Sequence, residues 1–581
     1  MFKTALLILT QPMNQICQCI PLYMTEINKL ASKTAYIHIQ PNTLSQTVDQ
    51  NSADGEAGSN SAEHYSHFEM LKVPFSVEIR NLVKEFYVSN ANICSNLDIR
   101  VLVGHIGNAE MKFKKYNFKD PCDIVLIDRN IQDDDKSGLL KSISSTFTVS
   151  SSGICQHLDI AESVSTAGTP KRQKLDDSTY QETEAAELLK QYPHTVLGGT
   201  FDRLHVGHKI LLTEGCMLGT DKLTVGVTDG KMNNKKTLVE LIQPIEERIC
   251  IVKDFLNDVD PSMEYSVVPI TDGFGPTVTD PTMDLIVLSQ ETKKGGEMIN
   301  DERKKRDMKI LEEYTIDLVE DTCHTQYEEN KISSSSYRKR LLGTLYHPLK
   351  PKEGLLSTPY IIGLTGGIAS GKSSVCKRLE GQGAKIVDCD KLGHKAYIKG
   401  TPGFDKVVAA FGQQVVGEDG EISRKELGKI VFGNKEELKR LNGIVWPEIA
   451  QLAKEQMQEY SKDGHKVIVL DAAVLLEAGW DDMCHEVWTT IVPQDEAVKR
   501  MIERNNLTEE QARQRLNSQI TNLERVEKSN VILCTLWEYD YTQQQNWVNY
   551  TASCFGHWCY PLLLFWCADN NFSNRRHSRH N

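Results

Sequence analysis

No CxxC pair with metal-ligand spacing occurs in these 581 residues, and the 15 cysteines are scattered. That pattern excludes a zinc framework and fits reduced thiols. A basic surplus is missing too: the net charge is -13. A general nucleic-acid binder needs Lys and Arg to neutralise phosphates, so that class is set aside. Long apolar runs are also absent. None approaches the ~20 residues that span a bilayer. Ala5-Leu6-Leu7-Ile8-Leu9 is short and is followed by Pro12. No arginine occurs in the first stretch of roughly 30 residues, which disfavours a cleaved presequence. A short first strand is expected there instead.

Apolar residues make up 40% of the chain and charged ones 25%, enough for ordinary cores in about three domains. Residues 1–130 read as a small α/β region. Ala35–Gln40 alternates like a strand, Phe75–Tyr87 has helical spacing, and Ile99–Val103 and Asp123–Ile127 read as strands. No catalytic constellation is found in this region, which leaves it open to protein partners. Asp49–Ser66 reads as a disordered insert, and residues 131–190 as a Ser/Thr/Asp-rich disordered linker. Strands and helices then alternate over 191–345, pause at a hinge over 346–358, and resume over 359–545. That alternation implies parallel sheets with helices on both faces.

The strongest motif is Gly366-Gly367-Ile368-Ala369-Ser370-Gly371-Lys372-Ser373, with Ser374 next. It matches G-x-x-x-x-G-K-[ST] in full. The apolar run Tyr360–Leu364 precedes it and a helix start follows. Strand, glycine loop and helix start together cradle phosphate with backbone N–H groups. Lys372 is placed to reach the β- and γ-phosphates of ATP, and the Ser373 hydroxyl to hold Mg2+.

A second phosphate-handling segment runs from Thr195 through Gly198, Gly199, Thr200, Phe201 and Asp202 to His205-Val206-Gly207-His208. Gly198 and Gly199 are expected to turn the backbone tightly against a ligand. His205 and His208 lie three apart at a helix start, so both imidazoles can share one face. Without a third ligand nearby, that pair suits a polyphosphate better than a metal. Two surface histidines are the bland alternative.

These residues, with Ile332-Ser333-Ser334-Ser335-Ser336-Tyr337-Arg338, resemble the HxGH nucleotidyltransferases, in particular phosphopantetheine adenylyltransferase. The resemblance implies AMP transfer from ATP to 4'-phosphopantetheine. It places His205 and His208 on the ATP phosphates and Thr200 on the α-phosphate or the incoming phosphate. A lysine of the 231–236 segment would bridge the reactants, and Lys236 is preferred to Lys231 and Lys235. Ser333, Ser334, Ser335 and Arg338 would hold ATP.

The later unit resembles dephospho-coenzyme A kinase. Val387-Asp388-Cys389-Asp390 matches that family's DxD segment, and Asp471 to Gly479 its DxPLLfE segment, with Ala473 where the family has proline. The resemblance implies that Asp390, with Asp388 as the alternative, accepts the ribose 3'-hydroxyl proton. Asp471 would serve Mg2+ indirectly. Arg424, and Arg504 and Arg515 on an expected helix from Glu496 to Gln519, would contact substrate or form a lid. Arg500 reads more simply as a surface charge. The implied fold class is α/β: two doubly wound parallel-sheet domains in tandem, a Rossmann-like HxGH nucleotidyltransferase and then a P-loop kinase.

Dephospho-coenzyme A made by the first unit is the substrate of the second, so the pairing resembles the bifunctional coenzyme A synthases. That resemblance implies a cytoplasmic enzyme with possible mitochondrial association. Residues 546–581 depart from it: they are crowded with aromatics and cysteines, and Cys554, His557, Cys559 and Cys567 fit no usual zinc spacing. Two rivals stay open. One is another HxGH enzyme, such as a cytidylyltransferase, fused to a P-loop kinase. The other is a nucleotide-binding scaffold.

Overall fold

A computed structural model describes residues 1–41, 44–46, 65–93, 97–107, 114–129, 131, 133–158, 188–431, 433–538 and 540–542. It divides into two compact units, Met1–Tyr337 and Arg338–Asn581.

The first unit holds two five-stranded sheets, and neighbouring strands in both pair in parallel. The N-terminal sheet uses β1 (Phe2–Leu9) and β2 (Ala31–Ile39). A short antiparallel pair follows, β3 (Leu44–Gln46) and β4 (Tyr65–Phe68). Then come β5 (Asp98–Leu102), β6 (Cys122–Ile127) and β7 (Val149–His157). The order is β5-β2-β1-β6-β7. Residues Thr4–Leu9 of β1 are consecutively buried, as a central strand covered on both faces must be.

The second sheet uses β8 (Tyr192–Gly199), β9 (Gly219–Thr228), β10 (Glu264–Ile270), β11 (Leu285–Ser289) and β12 (Glu312–Ile316), in the order β10-β9-β8-β11-β12. Position for position, this repeats the N-terminal sheet: third, second, first, fourth, fifth. One continuous apolar core joins the two, with Ile79, Phe86 and Ile99 in the same cluster as Leu212, Phe255 and Val259.

The linker expected from 131 is ordered through Leu158, because the helix Asp133–Thr146 and β7 complete the N-terminal sheet. The helix starts with Asp133, Asp134 and Asp135, which favour a helix N-terminus, but it buries only Leu139 and Ile143. β7 is an edge strand with polar alternation, so neither element carries a strong apolar period. Tyr65 and Ser66, assigned to the disordered insert, belong to β4. The rest of the insert from 49 to 64, the linker from 159 to 187 and the tail from 546 lie outside the described residues.

Among its described residues the second unit carries one parallel sheet: β13 (Tyr360–Gly366), β14 (Lys385–Asp388), β15 (Val467–Asp471), β16 (Glu486–Ile491) and β17 (Val531–Cys534), ordered β14-β15-β13-β16-β17. Residues 346–358 contain no helix or strand and lie along this unit. There His347 Nδ1 meets Ser529 O at 2.8 Å, and Lys352 reaches Asp481 O. The single helix expected over Glu496–Gln519 is two helices, Gln494–Asn505 and Glu509–Asn517. Asn506 takes a left-handed conformation (φ 51°) that ends the first, and a Thr508–Gln511 capping box starts the second.

Candidate active sites

Both candidate sites lie at the carboxyl ends of parallel strands, where doubly wound sheets bind ligands. In the first unit, β8 delivers Gly198 and Gly199 still in extended strand. The turn itself is made by Phe201 (φ 50°) and Arg203 (φ 49°), not by the glycines. The glycines serve close approach: a Cβ on Gly199 would lie 3.1 Å from the Phe201 ring. Buried Asp202 fixes the turn by accepting from Arg203 Nη1 (2.8 Å) and from the Gln243 amide (3.0 Å).

The helix Val206–Leu218 begins here, with His205 as its N-cap. The His205 Nδ1 accepts from the His208 amide (3.4 Å), and the two rings stack with centroids 3.7 Å apart. The ring of His208 is pushed well below the ordinary histidine pKa by burial, with His205 and Lys236 adding to the effect. It is therefore neutral at pH 7 and able to donate one N–H. Its Nδ1 is buried without a hydrogen-bond partner among the described residues.

Ser334 ties the distant serine segment to this turn, donating to Asp202 O (3.0 Å) with its hydroxyl 3.4 Å from His205 Nε2. Ser333 accepts from the Ser336 amide at 3.2 Å. Ser335 is in the first turn of the helix Ser334–Leu341, and Arg338 on that helix is buried. Lys236 lies against the Thr200 hydroxyl, whereas Lys231 and Lys235 are exposed.

Sequence reasoning missed Arg248. Its Nη1 donates to Thr200 O and Thr228 O, both at 2.8 Å, and the side chain is fully buried. Thr228 and Asn233 complete this floor, with Thr228 Oγ1 3.3 Å from Thr200 Oγ1. A signal was present: Arg248 shares one helical stripe with Val252, Phe255 and Val259, where a charge has no place unless it is used.

In the second unit the loop Gly366–Gly371 leaves β13 and opens the helix Lys372–Gly381. A Cβ on Gly366 would lie 2.8 Å from Thr490 O. Gly371 has φ +85°, and a Cβ there would lie 2.7 Å from Thr535 Oγ1. Ala369 also takes positive φ (61°). The Ser370 hydroxyl meets Thr490 Oγ1 at 2.6 Å, and the Ile368 amide donates to Gln519 Oε1 at 2.9 Å. Neither Gln519 nor Thr490 was marked by its local sequence.

Lys372 pairs with Asp471, and Asp390 stands 3.6 Å from its Nζ. Burial acts to lower the lysine pKa, but these two carboxylates reverse it and hold the ammonium above its ordinary value. Asp388 and Asp390 separate in role. Asp388 caps the helix Cys389–Lys395 through the Lys391 amide (3.0 Å) and pairs with Lys391 Nζ at 2.9 Å. Asp390 has 64% of its side chain exposed.

Arg500, read as a surface charge, instead braces the loop. It donates to Ala369 O (3.2 Å), to Thr535 Oγ1 (2.9 Å) and to Thr535 O (2.7 Å). Ser373, Arg424, Arg504 and Arg515 are exposed, and Ser374 is half-buried. Arg504 donates from Nε to its neighbour Asn505 Oδ1 at 3.0 Å.

These two sites define a nucleotidyltransferase-type α/β domain followed by a P-loop kinase domain. Three family models match in order: COASY N-terminal domain over 3–161, cytidylyltransferase-like over 196–340, and dephospho-CoA kinase over 360–535. The dephospho-CoA kinase of Carboxydothermus hydrogenoformans is 38% identical over 185 residues, covering 32% of this chain and 90% of that protein. The enzyme of the same name from Shouchella clausii is 41% identical over 172 residues, covering 30% and 87%. The chain belongs to the dephospho-CoA kinase family through its second unit, and its three domains in tandem are those of the bifunctional coenzyme A synthases.

Proposed function

We propose that the chain catalyses two consecutive steps: AMP transfer from ATP to 4'-phosphopantetheine, releasing pyrophosphate, and 3'-phosphorylation of the resulting dephospho-coenzyme A. The observation that carries this reading is the pair of anion cradles, each at a sheet's carboxyl end and each with a lysine held beside the reacting position. Lys236 lies on Thr200, and Lys372 lies between Asp471 and Asp390.

In the first step the nucleophile is already a phosphate anion, so orientation and charge stabilisation do the work. Lys236 and the Thr200 hydroxyl face the α-phosphate in flight. Neutral His208, with His205 stacked against it, donates N–H to the departing phosphates. Gly198, Gly199, Ser333, Ser334, Ser335 and Arg338 belong to the surrounding ATP site. Arg248 holds the Thr200 carbonyl from below, so the hydroxyl keeps its direction.

In the second step the loop amides and Lys372 bind the β- and γ-phosphates. Asp390, exposed and uncapped, takes the ribose 3'-hydroxyl proton. Asp388 is committed to its helix. Asp471 keeps Lys372 charged and aimed, and Arg424, Arg504 and Arg515 meet the substrate's phosphates. Among the described residues no cluster of three His, Cys, Asp or Glu could hold a metal. Mg2+ would arrive with ATP and take the exposed Ser373 hydroxyl as ligand, supplying charge neutralisation at the phosphates. Among the described residues no helix is long and apolar enough to cross a membrane. Work in the cytoplasm, including at a mitochondrial surface, suits this reading.

The test is the full chain with ATP, Mg2+ and 4'-phosphopantetheine, followed by mass spectrometry. Wild type yields coenzyme A. Lys372→Met accumulates dephospho-coenzyme A. His208→Ala makes neither product, yet still phosphorylates added dephospho-coenzyme A. ATP binding without turnover would establish the scaffold instead.

A further inference from the structure

A helix on the outer face of a doubly wound sheet normally keeps a polar, solvated side. The helix Val206–Leu218 does not: every residue from Lys209 to Leu218 is buried. The N-terminal domain covers it. The Tyr87 hydroxyl lies 3.1 Å from Thr213 Oγ1 and also accepts from the Val101 amide at 3.1 Å. Lys209, the residue after His208, pairs with Asp98 at the start of β5 and donates to Ile99 O at 3.2 Å. Asp98 is held below the ordinary carboxylate range: burial opposes this, but Lys209 and Arg100 together outweigh it. Arg100 continues the seam to Asp258 (2.5 Å), which also accepts from Tyr36 (3.0 Å).

The N-terminal sheet repeats the topology of the sheet it covers, and the backbone donors at the end of its first strand are already used. Where β8 leads to Thr200 and the histidines, β1 leads to Thr10 and Gln11. Their amides donate to Asp128 of this same domain at 2.8–2.9 Å. A protein carboxylate thus takes up the free amides at this sheet's carboxyl end.

We propose that Asp98 is a positioning residue for adenylyl transfer: through Lys209 it fixes the helix that presents His205 and His208. The N-terminal domain is in this sense part of the adenylyltransferase machinery, although it touches no substrate. The inference rests on the adenylyl-transfer reading above.

The experiment uses the full chain with Asp98→Asn, Asp98→Glu and the double variant Asp98→Asn/Lys209→Met. Pyrophosphate release gives kcat and KM for the first step. Phosphorylation of added dephospho-coenzyme A by the same sample is the internal control, and thermal melting reports folding. We expect Asp98→Asn to lower the adenylyl kcat by about ten- to a hundredfold, the effect of a small misplacement of reacting groups. KM for 4'-phosphopantetheine and the kinase rate should stay within about twofold, and Asp98→Glu should recover most of the loss. The double variant removes the lone buried charge, so it should restore melting without restoring kcat. Recovery of both together, or a wild-type kcat in Asp98→Asn, overturns the proposal. If Asp98→Asn does not fold, the double variant decides by the same comparison. A wild-type chain without pyrophosphate release would instead defeat the functional reading itself.

Discussion

Asp471→Asn is the sharpest probe of the kinase site, because the geometry fixes what it should cost. Asp471 and Lys372 are 10% and 12% exposed at their side chains. Removing one partner of such a pair strands the other charge out of water, which costs about 3–5 kcal/mol. Asp390, 3.6 Å from the same ammonium, offsets part of that cost, but its exposure weakens the attraction. The lower end, about 3 kcal/mol, is therefore expected. For a unit of this size each kcal/mol moves the melting temperature by about 2–4 °C, so the kinase transition should fall by about 6–12 °C. Lys372 is held above its ordinary pKa. Its contribution is complete below the unfolded lysine value and is lost only as pH rises through the higher folded one. The difference between wild type and variant should thus be the same at about pH 6 and about pH 8. Calorimetry of the full chain reads the transition, and a coupled ADP assay reads the kinase rate, which should fall at least about tenfold. Adding Lys372→Met should return the melting temperature while leaving the kinase dead. A single variant that melts like wild type would refute the claim that this pair is buried and mutually dependent.

Other outcomes follow from the same reasoning. His208 lies well below the ordinary histidine pKa, so kcat/KM for adenylyl transfer should show no inflection near about pH 6.5. A bell limb at that value would count against a neutral His208 in the free enzyme. Burial raises Glu486 to about 8, with Trp488 and Tyr360 pulling the other way. The folded unit then binds a proton that the unfolded chain has released, so stability drains away as pH rises from about 4.5 towards 8, by up to about 1.4 kcal/mol per pH unit. Glu486→Gln should therefore raise the melting temperature at about pH 8 and change it little at about pH 4.5; equal shifts at both would count against a buried neutral carboxyl. Gly371→Ala should abolish the kinase rate and leave pyrophosphate release intact, since φ +85° and Thr535 leave no room for a methyl. An active variant would mean the loop can be rebuilt without its left-handed residue.

The sequence made the strands and both cradles legible because each has local markers. Tyr360–Leu364 is an apolar run leading into the glycine loop from Gly366, and His205 and His208 have helical spacing. What it did not reveal depends on distance along the chain. Gln519 reaches Ile368, and Arg248 reaches Thr200, across separations no periodicity reports. Arg500 looked like any exposed helical charge, yet its fork closes on a loop 131 residues away. The repeated sheet order was invisible for a related reason. β7 and the helix before it carry polar edges and only two buried side chains between Asp133 and Thr146, so they resembled linker. Asp388 and Asp390 share one motif, and long-range and cap contacts tell them apart: Asp388 caps and pairs with Lys391, while exposed Asp390 stands 3.6 Å from Lys372 Nζ.

The carboxylate of Asp128 has a last consequence, one of stoichiometry. A fold that occurs twice in one unit could bind a triphosphate twice, and an idle pocket would compete for ATP with the working one. Here the Thr10 and Gln11 amides of the first copy are already taken by Asp128 of the same domain, which leaves them nothing to offer a nucleotide. The three parallel sheets of the described residues thus carry two candidate places for ATP, and saturation is expected at two equivalents per chain.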